Sequence, residues 1–120
     1  MPERSKLRRT ISRWASTTDQ EARDLRRTYA ETSEMTIADA PDREVVELHG
    51  RLRTVTLRPR GGVPALEAEL DDGSGVLTIV WLGRRRIAGI SPGQSLRVGG
   101  RIGIHEGVRM MYNPRYELMP

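Results

Sequence analysis

The stretch VVELHGRLRTVTLR, residues 45–58, changes face halfway along its length. Val46, Leu48, Gly50 and Leu52 sit at alternate positions, the period of a strand with one buried side. From Val55 onward the apolar positions, Val55 and Leu57, fall on the opposite parity. Strand side chains alternate strictly, so the change requires an extra residue, a bulge or bend near Arg53–Thr54. A long strand bent in this way can serve two halves of one small barrel.

Four further segments read as strands, at 65–71, 76–82, 95–104 and 108–113, with a non-strand insertion between the third and fourth of the five. Five strands with a long, bent first member describe an OB-fold, a five-stranded Greek-key barrel. The expectation is a mainly β domain over residues 43–120. Upstream, residues 3–34 read as two helices. Leu7, Ile11 and Trp14 recur at helical spacing, and Thr18 with Glu21 three residues later forms a capping box. Ala22, Leu25 and Tyr29 make a second apolar stripe. "TIADAPD", 36–42, is a linker by composition, so residues 1–42 read as a helical extension and spacer.

The turn "DDGSG", 71–75, decides which way Trp81 points. A two-residue turn at Asp72–Gly73 sets Asp71 opposite Ser74, Ala68 opposite Leu77 and Leu66 opposite Ile79. Leu66, Ala68, Leu70, Leu77, Ile79 and Trp81 then share the core face, while Glu67, Glu69, Val76, Thr78, Val80 and Leu82 face outward. A three-residue loop would reverse the third strand and expose Trp81; the first register packs better. In "RIGIHEGVRMMY", 101–112, a two-residue turn would aim Arg109 inward beside Ile104. Burying an unpaired Arg is costly, by several kcal/mol. A three-residue loop, His105–Glu106–Gly107, is therefore expected. It puts Val108, Met110 and Tyr112 inside and Arg101, Arg109 and Met111 outside.

Hydrophobic residues make up 37% of the 120-residue chain, and Phe and Cys are absent. No disulfide or thiolate chemistry is available, and no apolar run reaches a membrane span. The N-terminus lacks the apolar stretch of a signal peptide, so a cytoplasmic location is expected. The net charge is +4. Residues 1–44 are balanced, so the whole excess lies in 45–120, and it is carried by Arg. Basic surface favours polyanion partners, nucleic acid first. The candidate phosphate contacts are Arg51, Arg53, Arg58, Arg60, Arg84, Arg85, Arg86, Arg101 and Arg109. His49 is expected on the outward face of the first strand. Arg suits this task because its guanidinium forks onto phosphate and stacks on bases. Val80, Leu82 and Met111, with Trp81 and Tyr112 where their edges are exposed, are candidate base contacts. Glu67 and Glu69 acidify the same face and support the alternative, a protein-interaction module or homodimer.

Taken in order, Asp72–Gly73–x–Gly75, the apolar strand ending in Trp81, Ile90–x–Pro92–Gly93, Val98–x–Gly100 and Asn113–Pro114–x–Tyr116 carry a resemblance. Over about residues 44–118 the chain resembles small actinobacterial OB-fold nucleic-acid-binding proteins. It is also similar to the OB wedge domain of RecG-type helicases, within the tRNA-anticodon-type OB superfamily. The resemblance implies an OB barrel and a nucleic-acid role, which in the wedge domain is holding or splitting branched DNA; the partner expected of this chain is single-stranded or branched nucleic acid, and no membrane. The motor is not here: there is no GxxxxGK[ST]. His49 and His105 are the only histidines, and neither sits in a metal-binding helix motif. Asp71 and Asp72 read as turn formers, and Ser74 lacks a nucleophile elbow. No enzyme, metal or cofactor is expected.

Overall fold

The computed structural model of the chain describes residues 20–26 and 35–120. Residues 20–26 form one short helix, α1. Seven strands follow: β1 (Val45–Leu57), β2 (Ala65–Asp71), β3 (Val76–Leu82), β4 (Ser95–Arg101), β5 (Gly103–His105), β6 (Val108–Tyr112) and β7 (Arg115–Met119). They make a single mixed sheet in the order β5-β6-β3-β2-β1-β4-β7. β3 and β6 run parallel, and every other neighbouring pair is antiparallel.

β1 is the strand that bends the sheet. Val45–Arg51 pairs with β4, and Arg51–Leu57 pairs with β2. The register to β2 slips between Leu52 and Thr54, where the change of apolar parity requires a bulge. Leu48 and Leu52 before it, and Val55 after it, all pack into one core. Only Ile102 separates β4 from β5, although β5 is at one end of the sheet order and β4 next to the other. The sheet therefore curls until its flanks meet along the 95–105 stretch.

The five-stranded closed barrel is not what forms. The hydrogen-bonded sheet is open, because β4 already has a partner on each side. It pairs with β1 on one edge and with β7 on the other. β7 is absent from the five-strand expectation, in which the last strand is 108–113. The fourth expected strand, 95–104, is instead broken at Ile102 into β4 and β5. Of the two expected helices, the described residues contain α1 alone; Leu7, Ile11, Trp14 and Tyr29 lie outside them.

The stretch at 36–42 is no loose spacer. Ile37 and Ala40 are fully buried in the core. Ile37 N–H donates to Asp72 Oδ2 (3.0 Å), Ala38 N–H to Ser74 Oγ (3.1 Å), and Asp42 Oδ1 accepts from Ile104 N–H (3.0 Å). Composition marks a turn-rich segment but not whether its few apolar side chains have a cavity to fill. α1 docks at the same place. Gly73, at φ +86°, lets the Ala22 carbonyl and the Arg26 amide approach so closely that a Cβ would collide with both.

Both hairpin registers differ from expectation. β2 and β3 pair Asp71 with Val76 and Leu66 with Trp81, a shift of two residues from the expected pairing. A shift of two preserves parity, so Trp81 lies inside with Leu66, Ala68, Leu70, Leu77 and Ile79. The β5–β6 turn has two residues, Glu106 (φ 52°) and Gly107 (φ 80°), the type I′ signature. Ile104 consequently faces Arg109, the arrangement that the cost of an unpaired buried arginine argues against. Arg109 is not left unpaired: its Nε donates to the Ala40 carbonyl at 2.9 Å. The consequence is a reversed β6. Met111 is buried against Gly100, while Val108 and Tyr112 are exposed.

Candidate nucleic-acid interface

One end of the sheet gathers the β1–β2 loop, the end of β3 and the end of β6. The loop itself is built, not slack. Arg58 N–H donates to the Ala65 carbonyl (2.8 Å), and Arg60 and Val63 exchange backbone hydrogen bonds of 2.8 and 3.0 Å. Gly61 and Gly62 between them both have positive φ, so the Gly-Gly pair makes a tight secondary hairpin. Gly83 N–H donates to the Pro64 carbonyl (2.7 Å), which brings Arg84, Arg85 and Arg86 next to the loop. Asn113 receives Leu82 N–H on its side-chain oxygen (2.9 Å) and donates its own N–H to the Val80 carbonyl (2.8 Å). These bonds fix the end of β6, and Tyr112 with it, beside the end of β3.

Five of the nine candidate arginines meet here: Arg58, Arg60, Arg84, Arg85 and Arg86. The segments 57–65, 82–86 and 112–114 contain no acidic residue. Tyr112 is 45% exposed and Leu82 41%, and Leu57 and Val63 are exposed beside them. Leu57 and Val63 are not among the candidates drawn from sequence. Their position beside Arg-bearing turns is the signal that could have found them.

Arg60 is the best ordered of the five by its contacts. Its guanidinium donates from Nη2 to Glu67 Oε2 (3.2 Å) and from Nη1 to Tyr112 Oη (3.3 Å), and its Cζ lies 5.8 Å from the Tyr112 ring centre. That distance suits a cation–π contact. In the sheet Glu67, Val80 and Tyr112 are consecutive neighbours on one row. Arg60 thus spans the row above Val80, which is fully buried although it faces outward. Val80 is therefore closed to solvent, and so are Trp81 and Met111, both buried where exposed edges are expected. Leu82 and Tyr112 remain available.

The other arginines divide. Arg51 and Arg53 sit midway along β1, and Arg53 lies 3.9 Å from both Glu69 and Asp71. Within the cluster, Arg58 lies 4.0 Å from Glu67. Long, exposed pairs of this kind are weak and readily exchanged. Arg101 and Arg109 lie at the far end, bonded to the carbonyls of Arg43 and Ala40 respectively. They do not belong to the cluster. His49 is on the outward face of β1, opposite Arg97, yet it is buried there. Asp71 and Asp72 serve their turn: Asp71 Oδ1 accepts from Gly73 N–H (2.8 Å), and Asp72 Oδ1 from Ser74 N–H (2.9 Å) and Gly75 N–H (3.3 Å).

No family model matches the chain, and no curated protein matches it. Solved structures do. One is RecG bound to a three-way DNA junction, with a TM-score of 0.59 at 20% identity over 72% of this chain. The chain spans only 12% of the RecG chain. Another is the replication factor A related protein from Methanobacterium thermoautotrophicum, with a TM-score of 0.54 at 13% identity, covering 71% of this chain and 89% of that one. Over about seven tenths of its length, the chain has the OB-like β fold of these two proteins.

Proposed function

We propose that this protein binds nucleic acid, single-stranded or branched, with little sequence preference and without a chemical step. The observation that carries the reading is the gathering of five arginines on adjoining segments at one end of the sheet, with Glu67 beside Arg58 and Arg60, and with Tyr112 and Leu82 exposed among them. Guanidinium groups there neutralise phosphates, and the ring and aliphatic side chain offer faces on which bases can stack or rest. Guanidinium contacts to phosphate carry no sequence information, so the affinity expected here comes from backbone charge. The RecG structure holds a DNA junction, which fits the same class of ligand.

The test is fluorescence anisotropy with a labelled mixed-sequence oligonucleotide across a salt series. With about four phosphates neutralised, log K falls against log salt with a slope near −3 for a single strand. The Arg84→Ala/Arg85→Ala/Arg86→Ala variant stays folded and binds every sequence about tenfold or more weakly. A slope near zero, or unchanged affinity in the triple variant, removes the reading. A protein partner is the second reading, favoured by exposed Leu57 and Val63 at the same end; a salt-insensitive complex with an apolar partner would support it.

A further inference from the structure

We infer that β7 pairs with β7 of a second copy of this chain, antiparallel about a two-fold axis, to make one continuous sheet. β7 is the terminal strand of the sheet order, and among the described residues nothing pairs with its outer edge. Four of its five residues are exposed, including Tyr116 and Leu118 at 43% each. An edge of this kind presents a row of unpaired backbone donors and acceptors that another strand can complete.

The charges on the outer face select the register. Arg115 and Glu117 alternate along β7, and the neighbouring strand continues the pattern: Arg97 stands opposite Glu117, and Gly99 opposite Arg115. Gly99 has no side chain, and the Arg115 guanidinium lies across it, with Nη2 3.6 Å from where a Cβ would be. Glu47, paired with Gly99 from the far side, waits at the end of that reach. Arg97, Arg115, Glu47, Glu117 and Tyr116 line one shallow dent around this row.

A two-fold axis perpendicular to the sheet keeps each face on its own side, so residues of like parity must stand opposite each other. Centring on Glu117 overlaps all five residues but sets Glu117 against itself, and like charges directly opposite repel. Centring on Leu118 leaves Glu117 facing Met119 with no charge partner. Centring on Tyr116 sets Arg115 opposite Glu117 of the second copy, twice, once each guanidinium swings from above Gly99 to the outer edge, and brings the two Tyr116 rings together on the inner face. The outer-face row then reads Arg97, Glu117, Arg115, with the bare Gly99 position and Glu47 beyond, alternating in sign across the join. The contact is short, so the dimer is weak, with a dissociation constant in the micromolar range or above, below the usual size of a permanent interface.

Analytical ultracentrifugation of the chain over a wide concentration series tests this directly, independently of nucleic-acid binding. Wild type shows a reversible monomer–dimer equilibrium that weakens with salt. Glu117→Arg weakens the dimer at least tenfold, and so does Arg115→Glu. The double swap, Arg115→Glu with Glu117→Arg, restores it to within about threefold of wild type. Circular dichroism melts of each variant separate lost pairing from lost folding. A wild type that remains monomeric at the highest concentration overturns the inference. So does a dimer indifferent to Glu117→Arg, or a folded double swap that stays monomeric.

Discussion

Asp72 receives hydrogen bonds from three pieces of chain. Arg26 Nη1 (2.8 Å) and Ile37 N–H (3.0 Å) reach its Oδ2, while the Ser74 hydroxyl (2.6 Å) and the Ser74 and Gly75 amides reach Oδ1. The side chain is almost fully buried, so removing it strands several donors without water. Asp72→Ala is expected to cost about 3 kcal/mol, read as a shift in the urea midpoint at unchanged slope. A loss under about 0.5 kcal/mol would show that water replaces the carboxylate. The role of this residue is only half legible in the sequence: a D-D-G turn is plain there, but its bonds to Arg26 and Ile37 span long separations. Trp81 is legible because facing depends on parity alone, and a register displaced by two leaves parity intact. Arg109 is not, because the carbonyl that satisfies it belongs to Ala40, 69 residues earlier.

At the scale of elements, the two-residue β5–β6 turn carries a conformational cost. Glu106 occupies a left-handed conformation, φ 52°, which disfavours most side chains by roughly 1–2 kcal/mol. Asn tolerates that region and precedes Gly in the favoured type I′ pair. Glu106→Asn is therefore expected to stabilise the protein by ~0.5–1 kcal/mol, seen as a higher melting temperature. A lower one would argue that Glu106 makes a contact worth more than its strain. The bend in β1 is legible from the alternation of its residues alone. β7 is not. Five residues after a proline give little periodicity of their own, and their strand state comes from the β4 edge they complete. That same edge is why the barrel expected from five strands is replaced by an open sheet of seven.

Over the whole molecule the arginines divide by place rather than by number. Nine stand on an equal footing in the sequence, and topology sorts them: five at the end that carries the β1–β2 loop, two along β1, and two at the opposite end holding the 40–43 stretch. Sorting needs the register, because loops well separated along the chain become neighbours only when Pro64 and Gly83 bond. Arg101→Ala therefore serves as the control for the binding reading. Affinity for an oligonucleotide is expected to stay within about twofold of wild type, measured by anisotropy at the same salt. A loss as large as that of the Arg84–Arg86 variant would move the site to the other end.

Ile102 alone bridges β4 and β5, and its N–H and C=O are engaged by Glu44 and Arg43 at 2.9 Å each. One residue of extended chain reaches only about 3.3–3.6 Å. The two flanks are therefore tethered on so short a leash that they cannot draw apart without unzipping neighbouring strands. Parting them at this seam costs both backbone bonds of Ile102 at once.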